Sequence, residues 1–393
     1  MSYILFDDVS RKALKPFTYI RPVCDIRIGI LTIREKWEKY LGEKTSTLTE
    51  EYLSTKFPIE FTDSMILING SVCPTPKLVD IIKNLELNQV VICNDFIIAM
   101  HKSKEGFISE TEDTDKIEVP QDFIKLNNIW DIYVLNDRAI REDFELITKN
   151  RQSKPLSSTN RVIGIENIFV EEGAKIECAS LNSTEGPIYI GNNAEIMEGS
   201  VVRGPFAMCD NAVLKLNAKI YGATTLGPYA KVGGELANVV IFGYSNKAHD
   251  GFIGHSVIGE WCNIGADTNA SNLKNTYEEV RIWDIEKNTF VSTGQTFCGT
   301  FFGDHSKCGI NVMFNTGTVV GLSSNIFGAG YQRNFIPSFA WGGTNVGLKL
   351  YDLDKALEVA DRMMERREMV MSQEDKNILS HVFNLTFKNK KLR

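Results

Sequence analysis

The sequence predicts an α/β domain followed by a parallel β-helix and a helical tail, and a six-residue period in its second half is the strongest indication. An α-helix repeats near 3.6 residues and a strand at two, so neither explains this period. A hexapeptide period is typical of a parallel β-helix, in which each six-residue segment forms one flat side of a triangular coil. Every sixth residue is apolar in two runs: Ile190, Ile196, Val202, Met208, Leu214, Ile220, Leu226 and Val232, then Phe302, Cys308, Phe314, Val320 and Ile326.

Chance is a poor explanation of this period. About 40–50% of residues in a globular protein are apolar, so eight successive apolar positions arise less than about once in a hundred tries per register. We expect the stepped residues to point inward and stack on their copies in neighbouring coils. Glycines such as Gly227 and Gly265 fall where the coil must bend, which glycine tolerates. One insertion, at roughly Asp267–Phe297, interrupts the period.

The first 150 residues alternate strand-like and helix-like segments, which predicts an α/β domain. The apolar spacing predicts a helix over Ile28–Glu43, a buried strand over Ser64–Gly70 and a helix over Pro76–Leu85 that begins with proline. The whole chain is therefore divided into an α/β domain (1–150), a polar linker (151–161), the β-helix (162–345) and a tail with helical apolar stripes (346–393).

Composition narrows the classes of function. The net charge of −7 gives no support to nucleic-acid binding, and no apolar run reaches the roughly 18 residues that a membrane span needs. The N-terminal segment has early acidic residues and lacks the apolar core of a secretory signal. The eight cysteines are scattered without metal-ligand spacing, which is typical of reduced thiols. We therefore expect a cytoplasmic protein that acts on small molecules.

Two of the five histidines, His249 and His255, lie close together in the β-helix. The period weakens around His249, so the chain is expected to leave the regular coil there and expose the side chain. An imidazole titrates near neutrality and can take a proton from an amine or a hydroxyl. The alternative is a surface or corner histidine without a role. Six residues make one side of the triangle, so the two histidines should lie on adjacent faces, which disfavours a zinc site within one subunit.

The segment SNKAHDGFIGHSVIGEWCNIGADTNASN, residues 245–272, resembles the acetyltransferase part of the bifunctional family of glucosamine-1-phosphate acetyltransferases and N-acetylglucosamine-1-phosphate uridyltransferases. The spacing from the histidine to the NIGA block is the same as in that family. The resemblance implies a left-handed β-helix, acetyl-CoA as co-substrate, a homotrimer that places acetyl-CoA between neighbouring coils, and His249 as the general base for N-acetylation.

Other residues take roles by the same resemblance. Phe252 falls on a family tyrosine and keeps the ring without the hydroxyl. Ala266 matches a position whose backbone contacts acetyl-CoA, and Asn272 is a candidate for binding substrate or coenzyme. The family's phosphate-binding arginine has its best counterpart in Arg203. A family lysine in the coil before the histidine has no clear equivalent, and two candidates to replace it are Lys231 and Lys247.

The front part resembles a nucleotidyltransferase with an altered signature. Such enzymes begin with a glycine-rich loop whose backbone amides hold nucleotide phosphates. Here KPFTYIRP aligns with the end of that signature, so that Arg11 falls on the loop arginine and Arg21 lies just before the catalytic lysine position. Val23 occupies the lysine position, and the loop glycines are absent. The strand end LINGS carries Ser71 where the family presents an aspartate to Mg²⁺.

The resemblance implies UTP and Mg²⁺ as partners of this front part. Arg21, Asp25 and Arg27 can form an altered nucleotide site with Arg11, Asn69 and Gly70. Asp7, Asp8 and Asp25 are the candidates to hold Mg²⁺ in place of the missing aspartate. In the alternative of equal weight, these charged side chains only pair with one another.

Three functions remain open from the sequence. In the first, the β-helix acetylates glucosamine-1-phosphate with acetyl-CoA and the front domain transfers uridylyl from UTP to form UDP-N-acetylglucosamine. In the second, the protein is only an acyltransferase, acting on a sugar phosphate or nucleotide sugar, with a front domain that does not turn substrate over. In the third, the chain is a non-catalytic assembly or regulatory subunit, which predicts no saturable coenzyme site.

Overall fold

The computed structural model describes residues 2–109 and 115–387 of the chain. They form two compact units, a front unit of residues 2–14, 20–26, 31–109 and 115–128, and a β-helix unit of residues 15–19, 27–30 and 129–387. The helices after residue 130 therefore belong to the β-helix unit, whereas the domain division predicted from the sequence lies at 150. One contact that joins these helices to the β-helix is a hydrogen bond of 3.0 Å, which the Asn136 side chain donates to the carbonyl oxygen of Ala223. The end of the predicted tail, 388–393, lies outside the described residues.

The front unit is built on a six-stranded sheet in the order β2-β1-β3-β5-β4-β6. Strand β1 pairs in parallel with β2 and β3, whereas β5 pairs antiparallel with β3 and β4. Ile4, Met65 and Leu67 form a buried cluster on the adjacent strands β1 and β3. The strands are β1 (Ser2–Phe6), β2 (Thr45–Leu48), β3 (Ser64–Asn69), β4 (Gln89–Cys93), β5 (Phe96–Ser103) and β6 (Asp115–Glu118).

The second helix of the chain begins later than the apolar spacing predicts. It spans Ile33–Leu41, because Gly29 has φ +73° and Thr32 is an extended N-cap that forms a capping box with Glu35. It ends at Gly42, whose φ of +78° closes the last turn. The helices are α1 (Ser10–Ala13), α2 (Ile33–Leu41), α3 (Pro76–Lys83), α4 (Lys104–Ile108), α5 (Asp131–Val134), α6 (Asn136–Thr148), α7 (Leu353–Glu365) and α8 (Gln373–Phe387), with 3-10 turns at Val23–Asp25, Glu51–Leu53 and Ile165–Asn167.

The second unit confirms the predicted left-handed parallel β-helix. None of the side chains in the six-residue period is more than 5% exposed, so this period identifies the inner core of the β-helix. The first face contains Arg161–Ile163, Ser180–Asn182, Val201–Arg203, Lys219–Tyr221, Asn269–Ala270 and Met313–Phe314. The second contains Ile168–Val170, Ile188–Ile190, Phe206–Met208, Thr224–Leu226, Thr300–Phe302, Thr318–Val320 and Phe335–Ile336, and the long strands Glu235–Ile241 and Phe252–Ile258 bridge these two faces.

The third face carries the strand that precedes His249. Its strands are Lys175–Ile176, Glu195–Ile196, Val213–Leu214, Lys231–Val232, Asn246–Lys247, Asn263–Ile264, Lys307–Cys308, Asn325–Ile326 and Ala340–Gly343, and the last of them pairs antiparallel with Gly347–Leu350. The coil is interrupted between Ala270 and Thr300, where Arg281–Asp284 and Thr289–Ser292 form an antiparallel hairpin.

The chain then continues into the two tail helices, α7 and α8. Asp352 caps α7 by accepting from the backbone of Lys355 at 3.1 Å. Just beyond α7, Arg367 donates to the Asn246 side chain at 3.0 Å and to the Tyr229 carbonyl at 3.3 Å, which fixes this end of the helix against the third face. Across the part of the chain that the structure describes, no helix has the length and apolar character that a membrane crossing needs.

Candidate functional site

His249 follows the strand Asn246–Lys247 and is exposed. It lines a groove of about 690 Å³ between the third face and α7. The floor of this groove includes Lys231, Asn246 and Lys307, and Ala266 lies on it as well. The opposite wall comes from α7 and the turn after it, including Arg362, Arg366 and Arg367.

The cationic side chains give this groove a positive potential. The pKa of Lys231 is lowered by its burial and then by the charges of Arg367, Lys215 and Arg366. The pKa of Arg367 is lowered by burial and by neighbouring Arg366. Like charges held this close stabilise a bound anion, and phosphate groups suit arginine because its planar fork donates two hydrogen bonds at once. The groove is therefore suited to a polyphosphate-bearing ligand.

The structure brings three of the predicted acetyltransferase residues together, since His249, Lys231 and Ala266 all line the groove. Lys247 does not, because its side chain is only 1% exposed and lies inside the coil. Arg203 lies on the first face, exposed, and pairs with Glu185 at 3.2 Å. The sequence alone gave no indication of Lys307 or of the α7 arginines, which appear there only as part of a densely charged tail.

Asn272 lies beside His255 instead, and the Phe252 ring and the Asn272 amide both lie beside Gly254. The Asn272 side-chain nitrogen is 2.9 Å from His255 Nδ1, and that of Asn238 is 3.2 Å from His255 Nε2. The imidazole also stacks on Phe297 with ring centroids 5.2 Å apart. Burial lowers the pKa of His255 to about 4, so the ring is neutral and offers one N–H and one lone pair. One of the two amides must therefore present its oxygen.

The half-buried imidazole of His255 predicts a loss of stability in mild acid. Because folding lowers its pKa from 6.5 to about 4, the unfolded chain takes up the proton first as the pH falls. The stabilisation is complete above about pH 6.5 and is lost progressively toward pH 4. We expect this group to contribute roughly 1–3 kcal/mol of that loss. Urea unfolding midpoints at pH 7 and pH 5 measure it, and the drop should be smaller in His255→Gln; an equal drop in both proteins would contradict the assignment.

A second groove, of about 350 Å³, lies in the front unit beside the end of β1. Asp7, Asp8, Arg11 and Lys12 line it, together with Thr49. Arg11 donates to Asp7 at 2.8 Å and to the Arg21 carbonyl at 3.0 Å, so its side chain joins the end of β1 to the KPFTYIRP segment. Arg21 itself is 4% exposed. Of the residues that the altered signature places at the nucleotide, Arg11 lines this groove, whereas Arg21 only contacts it through Arg11. Arg27 belongs to the β-helix unit.

The carboxylates proposed for Mg²⁺ already form ion pairs with arginine or lysine side chains. Burial raises the pKa of Asp7, although Arg11 lowers it. Burial also acts to raise the pKa of Asp8, but hydrogen bonds from Ser10 and Asn69 and the charge of Lys125 outweigh it, so this pKa is lowered. Asp25 pairs with Arg34. Among residues 2–109 and 115–387, no group of three His, Cys, Asp or Glu side chains is placed to hold a metal ion. These three carboxylates therefore do not fit a magnesium site as they stand.

The structure adds Lys125 to this site. Its ammonium donates to Asp8 and to Asn127, each at 3.0 Å, and it lies over the ring of Phe96. Asp8 also accepts from Asn69 at 3.0 Å, so the NGS strand end is joined to the same network. The one available signal in the sequence was a lysine between two apolar residues, Ile124 and Leu126, which is too common a pattern to mark a site.

Comparison with known proteins supports the two-part layout. Residues 3–152 match the sugar nucleotidyl transferase family. A bifunctional sugar-1-phosphate nucleotidylyltransferase/acetyltransferase of Sulfurisphaera tokodaii is 31% identical over 160 residues, which is 40% of this chain and 37% of that protein. The bifunctional protein GlmU of Wigglesworthia glossinidia brevipalpis is 23% identical over 226 residues, which is 52% of this chain and 46% of that protein.

Among solved structures, the UDP-N-acetylglucosamine acyltransferase LpxA of Bacteroides fragilis covers 58% of this chain and 97% of its own, with 13% identity and a TM-score of 0.26. The chain spans 37% to 64% of the length of the curated sequence relatives that it matches. The chain is therefore similar to sugar nucleotidyl transferases over residues 3–152, and to a bifunctional sugar-1-phosphate nucleotidylyltransferase/acetyltransferase over 40% of its length.

Proposed function

We propose that the β-helix transfers an acetyl group from acetyl-CoA to the amine of glucosamine-1-phosphate, and that the front unit transfers uridylyl from UTP to form UDP-N-acetylglucosamine. The observation that carries the acetyl half is the position of His249 on a groove whose floor and wall supply Lys231, Lys307 and the α7 arginines. Acetyl-CoA carries its thioester at one end and phosphates at the other, so it matches a groove with a base and a cationic wall.

The chemistry follows from the exposed imidazole. His249 accepts a proton from the substrate ammonium, and the freed nitrogen lone pair attacks the thioester carbonyl. The new C–N bond forms as the C–S bond breaks, the nitrogen releases its second proton as the amide forms, and the coenzyme A thiolate takes up the proton held by His249 as it leaves. Ala266 lies on the same groove, where the resemblance places the coenzyme. The resemblance also extends the proposal to a homotrimer, a closed rotational assembly of the common kind.

A specific observation favours a second candidate, an acyltransferase with a non-catalytic front unit. Asp7, Asp8 and Asp25 are paired with Arg11, Lys125 and Arg34, which is the arrangement expected if the charges serve structure alone. The two candidates differ only in the fate of UTP, so a nucleotide assay separates them.

The function is tested by supplying glucosamine-1-phosphate, acetyl-CoA and UTP in turn to the purified protein and identifying products by mass spectrometry. The proposal predicts N-acetylglucosamine-1-phosphate after acetyl-CoA, then UDP-N-acetylglucosamine with release of pyrophosphate after UTP. Acetylation without pyrophosphate release under any divalent metal would select the second candidate. A protein that binds no acetyl-CoA would reject both and favour a non-catalytic subunit.

For the front unit, we expect Arg21→Ala to lower UTP turnover with N-acetylglucosamine-1-phosphate at least about tenfold, because cationic charge must stabilise the phosphates as pyrophosphate leaves. Pyrophosphate release is the measurement. Because Arg21 is buried, Arg21→Lys serves as the matched control, keeping a charge while losing the planar fork. Circular dichroism checks that both variants fold. Release equal to wild type in Arg21→Ala would remove Arg21 from the site.

A further inference from the structure

Lys247 occupies a position in the β-helix where every neighbour in the stack is apolar. The strand register aligns it with Val232 in the coil before and Ile264 in the coil after, followed by Cys308 and Ile326. All four neighbours are at most 5% exposed, and the Lys247 side chain is itself 1% exposed. An ammonium group in such a stack is costly unless it is hydrogen-bonded, so its contacts show what it serves.

Those contacts lie on the loop that carries His249. The Lys247 ammonium donates to the carbonyl oxygen of His249, and to that of Asp250 at 2.8 Å. The Asp250 carbonyl also accepts from the backbone of Asp267 at 3.0 Å, so the loop is held from the coil core and from the next coil. Gly251 then returns the chain to the strand with φ +110°, a conformation open to glycine.

We propose that Lys247 is a positioning residue, whose buried ammonium fixes the backbone of His249 and thereby aims the imidazole into the groove. This inference rests on the proposed role of His249 as the base. It replaces the expectation that Lys247 binds the sugar phosphate, because the side chain runs into the core while the groove lies outside the coil. A misplacement of about 1 Å can cost roughly 100-fold in rate, so a small loop shift is sufficient to matter.

The buried position of the Lys247 ammonium also implies that acetyl transfer and stability depend on pH. Burial lowers the pKa of Lys247 to about 8, against the opposing influence of Asp250, Cys308 and Asp267, which face it from its own loop and the adjoining coils. Above about pH 8 the folded protein loses this charge while the unfolded chain keeps it up to 10.5, so the contribution of this group to stability rises over that interval. If deprotonation of Lys247 lowers activity above pH 8, the free energy of unfolding should therefore not fall because of the same group.

The test is Lys247→Met, which keeps the length of the side chain and suits the apolar stack. We expect an unchanged or higher melting temperature, kcat for acetyl transfer lowered about 10–100-fold, and KM for acetyl-CoA within about twofold. We also expect kcat of the wild type to decrease above about pH 8, and this decrease to be absent in the variant. Hydrogen exchange of the peptide covering residues 246–253 should be faster in Lys247→Met at pH 7, a readout that does not require activity.

Two controls make the outcome decisive. Lys219→Met removes an exposed lysine on another face and should change none of these quantities. His249→Gln should lose acetyl transfer and keep the slow exchange of the loop. Lys247→Met with wild-type kcat, wild-type pH profile and wild-type exchange would overturn the inference. If the wild type transfers no acetyl group, the proposed function fails, and unchanged exchange in Lys247→Met would then separately reject the loop contact.

Discussion

Replacement of His249 by alanine is expected to lower kcat for acetyl transfer by about 10²–10⁴-fold, the usual contribution of a positioned general base. The fold should be unaffected, because the His249 side chain is exposed and its backbone contacts remain in the variant. Binding of acetyl-CoA should also persist, because the cationic wall of the groove is untouched. The measurement is steady-state acetyl transfer to glucosamine-1-phosphate, with calorimetric titration of acetyl-CoA alongside.

A matched control for this experiment is His381→Ala, since His381 is an exposed histidine on α8. That variant should keep acetyl transfer within about twofold of wild type, because it leaves the base in place. If His249→Ala retains more than about a tenth of the wild-type kcat, His249 is not the base. The alternative of a surface histidine without a role would then stand.

The second large effect is expected from the arginines beside α7. The double variant Arg366→Ala with Arg367→Ala should raise KM for acetyl-CoA about 10–100-fold with a smaller change in kcat, because a hydrogen bond to a charged group contributes about 1.5–3 kcal/mol. The effect should be smaller for a coenzyme A analogue that lacks one phosphate, and smaller at high salt. Initial rates against acetyl-CoA concentration measure it.

Lys355→Ala is the matched control on the same helix, because Lys355 is exposed and does not line the groove. It should leave KM unchanged. An equal increase of KM in both proteins would mean that a general loss of positive charge, rather than the groove, explains the result. An unchanged KM in the double variant would move the coenzyme phosphates away from α7.

The β-helix was predictable because its signal is local and repeated. Each coil places equivalent residues inward, so Ile190, Leu214 and Val232 each indicate the same inner core independently. The start of α2 was harder to predict, since Ile28 and Ile30 continue the apolar spacing but lie before the N-cap Thr32. There the backbone conformation of Gly29 outweighs the pattern.

The candidate site was only partly predictable, because several of its features depend on long-range packing. His249 could be identified from its local motif, whereas Arg367 reaches Asn246 across 121 positions of sequence. The direction of the Lys247 side chain depends on which residue of a two-residue strand points inward. Asn272 likewise contacts His255, which the motif spacing does not reveal. Lys125 joins Asp8 across 117 positions.

The most direct test of the central claim, that the groove beside His249 holds an acyl-CoA, is a crystal structure of the protein grown with coenzyme A. We predict electron density for the phosphates against Arg366 and Arg367 and for the thiol end beside His249 and Ala266. Clear density for the coenzyme at another place on the coil, or an empty groove at a concentration that saturates binding in solution, would contradict the claim.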